Sequence, residues 1–337
     1  MYKLAIVPKI HHSIEYSSAY GSQHDRDHLL FCLSNSIKDK QISFDILYEN
    51  DFFAKHEFYD GVIFVGLSPT AHKFIQLDDL DIDLFCWAFN QVELINAPQI
   101  FKNVKLIFEQ STVAFPNVDN LHYLPLGFQC DRPVTKERSN QYDIVINATL
   151  DRSRRATAKT HRRDVLEKLL QKGFTILNVN GRAEIDVEKQ LIDYLKKYDN
   201  FSVLNEWGNP EHYSLGRFSL NIPFHELGSE ENININWGMP NLELENSNWL
   251  IHWDIFRCIG AKTNMITFDC KESRDLGLNE DNCHFYTSDT TDLDKMAEEI
   301  EGIIKSNQIK KIDDQTWSNN TFQSRWNFIF DKILLTV

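Results

Sequence analysis

Apolar and polar positions follow two rhythms along the chain, and each rhythm predicts an element. Near-continuous apolar runs fall at residues 4–7, 44–47, 61–65, 84–89, 105–108 and 123–126, the pattern of parallel strands buried on both faces. Between the first two runs, residues 25–37 place Leu29, Leu30, Leu33 and Ile37 on one face of a helix. A polar loop containing His11 and His12 leads from the first strand towards Gly21, and Leu124-Pro125-Leu126-Gly127 closes this half. The turn-prone, charged stretch 135–141 reads as a linker.

The same rhythm then starts again. A strand is expected at 143–148 and a helix at 163–172, with Val165, Leu166, Leu169 and Leu170 inward and Gly173 as its left-handed cap. Strand 174–179, helix 187–198 with Leu191, Tyr194 and Leu195 on its face, and strand 201–204 follow. Strand 218–222, a compact helix within 252–260, strand 264–269 and strand 284–286 come next. Leu293, Met296, Ala297, Ile300, Ile303 and Ile304 recur at helical spacing, with Thr291 as the expected N-cap. Phe322, Trp326, Ile329, Phe330 and Ile333 mark a last amphipathic helix over 322–335. Strands alternating with helices predict right-handed βαβ units and parallel sheets. Two such halves give an α/β fold of two Rossmann-like domains facing a cleft. Residues 213–270 read as the stretch around which the rest of the chain is arranged. The polar excursion inside it, about 25 residues, is longer than a packing connection needs. It reads as one wall of a substrate cleft or as a surface insertion.

Composition narrows this picture. With 337 residues, 42% hydrophobic, 12% aromatic and 9 prolines, the chain is expected to be ordered and to build two cores. A net charge of −14 repels nucleic acid and anionic membranes on average but permits a local basic site. The N-terminus enters a core strand directly, without a signal-peptide pattern, and no apolar run reaches the roughly 20 residues of a membrane span. Six scattered cysteines form no Cys-Xaa-Xaa-Cys pair, so buried thiols in a reducing cytoplasm are expected, and neither disulfides nor a zinc site.

The sharpest chemical signal is the loop from Asp151 to Arg163. Arg152, Arg154, Arg155, Lys159, Arg162 and Arg163 place six cations in twelve positions of an acidic protein. The loop leaves the carboxyl end of a strand and enters a helix, where backbone N–H groups and the helix dipole favour anions. Arginine forks add bidentate contacts to phosphate oxygens, and a diphosphate is the natural guest. A solvated loop paired with the acidic surface fits the same residues. Neither a Gly-Xaa-Gly-Xaa-Xaa-Gly nor a Gly-Lys-Ser/Thr loop is present, so ordinary dinucleotide and P-loop assignments lack their fingerprints.

Several motifs carry a resemblance. Asp143-Ile144-Val145-Ile146-Asn147-Ala148, the arginine loop and the helix ending at Gly173 resemble the donor-domain entry of GT-B glycosyltransferases. Leu124-Pro125-Leu126-Gly127 resembles the segment that closes the acceptor domain of that fold. Gly216-Arg217-Phe218-Ser219-Leu220-Asn221-Ile222 and the stretch 256–267 are similar to the strand and helix of spore-maturation (CgeB-like) glycosyltransferases. Residues 316–329 resemble their C-terminal helix. Phage DNA β-glucosyltransferase, whose arginines hold a nucleotide diphosphate, is a more distant likeness. The resemblance implies an acceptor domain over 1–138, a nucleotide-sugar donor domain over 139–320, and a helix at 321–337 packing back toward the first domain.

What it implies for chemistry is transfer of a sugar from a nucleotide diphosphate, such as a UDP-sugar, to a hydroxyl acceptor. No metal or other cofactor is expected, the nucleotide sugar being a co-substrate. The acceptor is a glycan, a protein or a modified DNA base. A phage-type DNA glycosyltransferase, or a sugar-nucleotide binder that has lost catalysis, stays open. Arg154, Arg155, Arg162 and Arg163 are expected to neutralise the leaving diphosphate. The family's Arg-Xaa-Phe-Glu becomes Asp254-Ile255-Phe256-Arg257, with the charges exchanged. Arg257 then meets a donor phosphate or carboxylate and Asp254 a hydroxyl, or the two pair across one helical turn. Asn90 stands near where related enzymes carry an aspartate and cannot abstract a proton. His24 and Asp25 are the preferred catalytic pair, although Asp25 also fits a helix N-cap. His225 and Glu226 are expected to face the sugar, or to form a polar turn. Trp207, Trp237 and Trp249 are stacking candidates or packing residues.

Overall fold

The computed structural model describes residues 1–8, 33, 41–66, 69–77, 80–88, 101–109, 120–124, 139–147, 150, 161–180, 183, 186–206, 210–222, 254–288 and 292–337. The chain divides into two compact units, Met1–Gln129 with Phe322–Val337, and Cys130–Thr321. Each contains a six-stranded sheet in which every described pairing is parallel. The α/β alternation read from the sequence holds in both.

In the first unit the strands are β1 (Tyr2–Pro8), β2 (Ile42–Ile46), β3 (Gly61–Val65), β4 (Asp83–Ala88), β5 (Val104–Glu109) and β6 (Leu121–Tyr123). Their order is β2-β1-β3-β4-β5-β6. Two short helices, α1 (Glu49–Lys55) and α2 (Pro69–Ile75), cover the sheet through Phe52 and Phe74, whose rings meet at 5.3 Å. Of the helix expected over 25–37 only Leu33 lies within the described residues, and it is fully buried. The terminal helix Phe322–Leu334 belongs to this unit. Its Trp326 meets Trp87 of β4 edge-on at 5.1 Å and stacks on Phe330.

The second unit orders its strands β12-β11-β10-β7-β8-β9. These are β7 (Tyr142–Ile146), β8 (Ile176–Val179), β9 (Phe201–Leu204), β10 (Gly216–Leu220), β11 (Met265–Phe268) and β12 (His284–Tyr286). Helix α3 (His161–Gln171) buries Val165, Leu166, Leu169 and Leu170, as its spacing predicts. It ends at Gly173, whose φ of 90° is open to glycine at no steric cost; the Gly173 N–H bonds the Leu170 carbonyl at 2.9 Å. Gly216 is needed for a different reason. A Cβ there would come within 2.6 Å of the Val145 side chain, so only glycine lets β10 lie this close to β7.

Some expectations are corrected. Helix α4 (Asp186–Leu195) turns Glu188, Ile192 and Leu195 inward, whereas Tyr194 is exposed. The Tyr194 hydroxyl bonds Glu167 at 2.9 Å, and Lys197 sits 3.7 Å over its ring, so the aromatic stays at the surface. The helix Leu293–Ser306 is capped by Asp292, which accepts from the Lys295 N–H at 3.0 Å; Thr291 lies outside the described residues. The strand expected at 123–126 ends at Tyr123. Pro125 has no N–H to offer a ladder. Helices of five to seven residues, such as α1, α2, Lys271–Asp275 and Asp314–Asn319, are too short to print a helical period on the sequence.

Candidate functional site

In the second sheet the chain runs from β7 through β8 to β9, then returns to β10 on the other side of β7 and continues outward to β12. The direction switches between β7 and β10. In open parallel sheets the crevice outside the carboxyl ends at such a point is where ligands bind. Asn147 follows β7 there, Asn221 and Ile222 follow β10, and two helices begin there: α3, with Arg162, and α5 (Asp254–Gly260).

These residues form one buried network. Arg162 is 2% exposed, and its Nε and Nη2 donate to the Ile222 carbonyl at 3.1 and 2.6 Å. Asp254 is 1% exposed; the Tyr213 hydroxyl donates to its Oδ1, and the Cys258 thiol lies 3.8 Å from Oδ2. The Asn147 amide joins the two sides of the switch when its oxygen is turned toward Arg257: in that orientation its nitrogen donates to the Val179 carbonyl at 3.0 Å and its oxygen accepts from Arg257 Nη1 at 2.8 Å. Behind Arg162, Glu188 accepts from the Leu150 N–H at 2.6 Å and from the Asn180 side chain.

Burial sets the electrostatics. Removing Asp254 from water pushes its carboxyl up to about 6, against the opposing pull of the Tyr213 hydroxyl, Arg257, the Asn147 N–H and Arg162. The same desolvation brings Arg162 down to about 9, although Asp254, Tyr286 and Glu188 favour its charge, so it remains a cation at neutral pH. Tyr213 and Cys258 are held well above their ordinary values, chiefly by burial, and stay protonated. A buried charge of each sign, with the half-buried Arg257 next to them, is an arrangement that holds its geometry before any ligand arrives.

The arginine loop thus reaches the switch point through Arg162, and the exchanged pair Asp254 and Arg257 lies there too. Arg163 turns elsewhere: its guanidinium bonds Asp164 and sits 5.4 Å over the Tyr194 ring. Arg154, Arg155, His24, Asp25, His225 and Glu226 lie outside the described residues, as do His11, His12, Asn90 and the three tryptophans. Sequence reasoning did not single out Tyr213, Asn147 or Glu188. Tyr213 looks like packing until the fold sets its hydroxyl on an aspartate 41 positions away.

Among the described residues no group of three or more His, Cys, Asp or Glu is placed to hold a metal ion. Asp292-Leu293-Asp294, the Asp-Xaa-Asp triplet of the second half, is otherwise engaged: Asp292 caps its helix and Asp294 pairs with Lys168 at 2.5 Å. The described cysteines are free thiols; Cys86, Cys258 and Cys283 are buried. No described helix is long and apolar enough to cross a membrane.

Two parallel sheets, one carrying a charged switch point, define a fold class found in glycosyltransferases. The chain superimposes on a glycosyltransferase from Rickettsia africae with a TM-score of 0.61 at 14% identity, covering 100% of this chain and 99% of that one. HepE from Anabaena, solved in complex with UDP-glucose, matches with a TM-score of 0.62 at 11% identity over 100% of both chains. The lipopolysaccharide outer core galactosyltransferase WaaB matches at 0.56 with 13% identity, covering 98% of this chain and 99% of that one. The architecture shared with them is GT-B. No family model matches the sequence, and no curated protein matches it.

Proposed function

We propose that the protein is a GT-B glycosyltransferase that moves a sugar from a nucleotide diphosphate, in the first instance a UDP-sugar, to a hydroxyl acceptor without a metal ion. The observation that carries this reading is the cluster of Arg162, Asp254, Arg257 and Asn147 at the switch point of the second sheet. HepE, which shares the fold, was solved with UDP-glucose. The Ile222 carbonyl holds Arg162, the charge of Asp254 favours its cation, and Asn147 orients Arg257, which is the more accessible of the two cations.

In the transfer, the acceptor oxygen attacks the anomeric carbon as the bond to the diphosphate oxygen breaks. That oxygen keeps the electron pair. Arg257, with Arg154 and Arg155 of the preceding loop, stabilises the charge that develops on it. Arg162 holds the floor of the crevice. The acceptor proton passes to a general base, for which His24 beside Asp25 is the proposed pair. A net charge of −14 weighs against duplex DNA as the acceptor and in favour of a glycan or protein hydroxyl.

The test is a panel of nucleotide sugars with and without hydroxyl acceptors, reading release of free nucleoside diphosphate. Arg155→Ala combined with Arg257→Ala is expected to lower turnover about 100-fold or more, the scale of losing preorganised charge at a leaving group. Undiminished turnover in that variant overturns the role of these arginines. Tight UDP binding without diphosphate release under any acceptor would make the protein a binder rather than an enzyme.

A further inference from the structure

At the switch point of the second sheet two arginines share one enclosed carboxylate, that of Asp254. Among the described residues, the groups that face it come from every element packed around it. Its own helix α5 contributes Arg257, one turn along, and the Cys258 thiol at 3.8 Å. The 3-10 helix Pro210–Leu215 supplies the Tyr213 hydroxyl, the end of β7 the Asn147 N–H, and α3 the Arg162 guanidinium. Glu188 and Tyr286 stand behind, acting on Arg162. Tyr213 and Cys258 stay protonated, and both arginines stay charged at neutral pH. Within this cluster Asp254 is therefore the group beside the arginines whose charge changes near neutrality.

A carboxylate and a bound diphosphate draw on the same two cations. With Asp254 ionised, the two arginines keep one net positive charge; with Asp254 protonated, they keep two. Enclosure makes that difference felt, because little water lies between the charges to screen them. The cations themselves are held by neutral groups that do not titrate. Two N–H groups of Arg162 go to the Ile222 carbonyl, and the Asn147 amide oxygen, turned toward Arg257, receives its Nη1. The proton on Asp254 thus alters the charge of the cluster while these supports stay in place.

We propose that Asp254, acting through Arg162 and Arg257, links donor binding to a proton: the diphosphate is held more tightly when Asp254 is protonated, and its arrival draws a proton from solvent onto that carboxyl. This rests on the donor reading above and deepens it, by naming what regulates the hold on the diphosphate. An anion beside the arginines cancels part of the attraction that keeps Asp254 ionised, so its carboxyl titrates at higher pH in the complex. By reciprocity, affinity is greatest where Asp254 is protonated with and without ligand. It falls as pH passes the value of the unliganded protein, about 6, and levels off above that of the complex.

Titration calorimetry of UDP-glucose from about pH 5 to about pH 8 tests this. Both phosphates of that probe are esterified on two sides and keep one charge each, whereas the terminal phosphate of UDP itself titrates in this window. Wild-type affinity is expected to fall about tenfold from the acid to the alkaline end. Proton uptake should appear as a binding heat that depends on the ionisation enthalpy of the buffer. Asp254→Asn keeps an oxygen for the Tyr213 hydroxyl; it should show no fall and bind about tenfold more tightly than wild type at the alkaline end. Tyr213→Phe removes a hydrogen bond that favours the ionised carboxyl, so it should move the fall to higher pH. That variant decides the matter if Asp254→Asn does not fold. Flat wild-type affinity overturns the proposal. So does a fall that persists in Asp254→Asn or stays in place in Tyr213→Phe, which would assign the proton to another group. Should wild type not bind UDP-glucose at any pH, the donor reading fails first and takes this inference with it.

Discussion

In the first sheet, β1 buries Leu4, Ala5, Ile6 and Val7 and β3 buries Val62, Ile63, Phe64 and Val65, an apolar interior from end to end. The second sheet has the same number of parallel strands but buries Asn147, Asn178, Ser219, Asn221 and Thr267 in or just beyond them, with Arg162, Asp254 and Glu272 at its edge. Among the described residues, every buried polar or charged residue belongs to the second unit. One architecture thus serves two ends. An all-apolar sheet is stabilised by area and volume. A sheet with polar groups at its carboxyl edge gives up part of that stability to hold charges in a fixed geometry, the usual signature of a binding edge.

The largest effect expected on the apolar side is that of Trp326→Ala. Removing a fully buried indole from its contacts with Trp87 and Phe330 should cost about 3–5 kcal/mol, read by chemical denaturation. UDP affinity of the molecules that remain folded should not change. A parallel loss of affinity would break the division of labour between the sheets.

Asp254→Asn sharpens the polar side. An aspartate ordinarily titrates at 3.8 and Asp254 near 6, so the folded state binds this proton more tightly than the unfolded chain does. The group therefore favours folding fully below about pH 4, and that contribution is lost as pH rises to about 6, roughly 3 kcal/mol in all. The stability of wild type relative to Asp254→Asn should fall by that amount across the window and then level off. A difference that stays flat with pH would show that Asp254 is ionised throughout.

The smallest effect expected belongs to neither kind of interior. Gly173→Ala keeps every buried contact, since nothing lies within 4 Å of the added methyl, but forces a left-handed backbone on alanine. The loss should be about 1–2 kcal/mol in denaturation, with nucleotide affinity unchanged. A neutral result would mean that the cap of α3 relaxes.

The strands Gly61–Val65, Phe201–Leu204 and His284–Tyr286 match their apolar runs, and the inward face of α3 matches its spacing, because burial repeats with the period of the element. The arginine-rich loop and the exchanged Asp254 and Arg257 were visible as unusual chemistry. Which of these charges act together was not. Arg162 donates to a carbonyl 60 positions away, and its neighbour Arg163 turns to Asp164 and the Tyr194 ring. Tyr194, placed inward by helical spacing, is held at the surface by Glu167 and Lys197.

Local order along the chain is enough to specify strands, helices and their alternation, since each needs only neighbours within a turn or a pleat. The partner of a buried charge, such as the Ile222 carbonyl that receives Arg162, depends on which strand ends lie side by side. That is settled when distant segments pack, because desolvation makes a charge answer to whatever stands next to it in space.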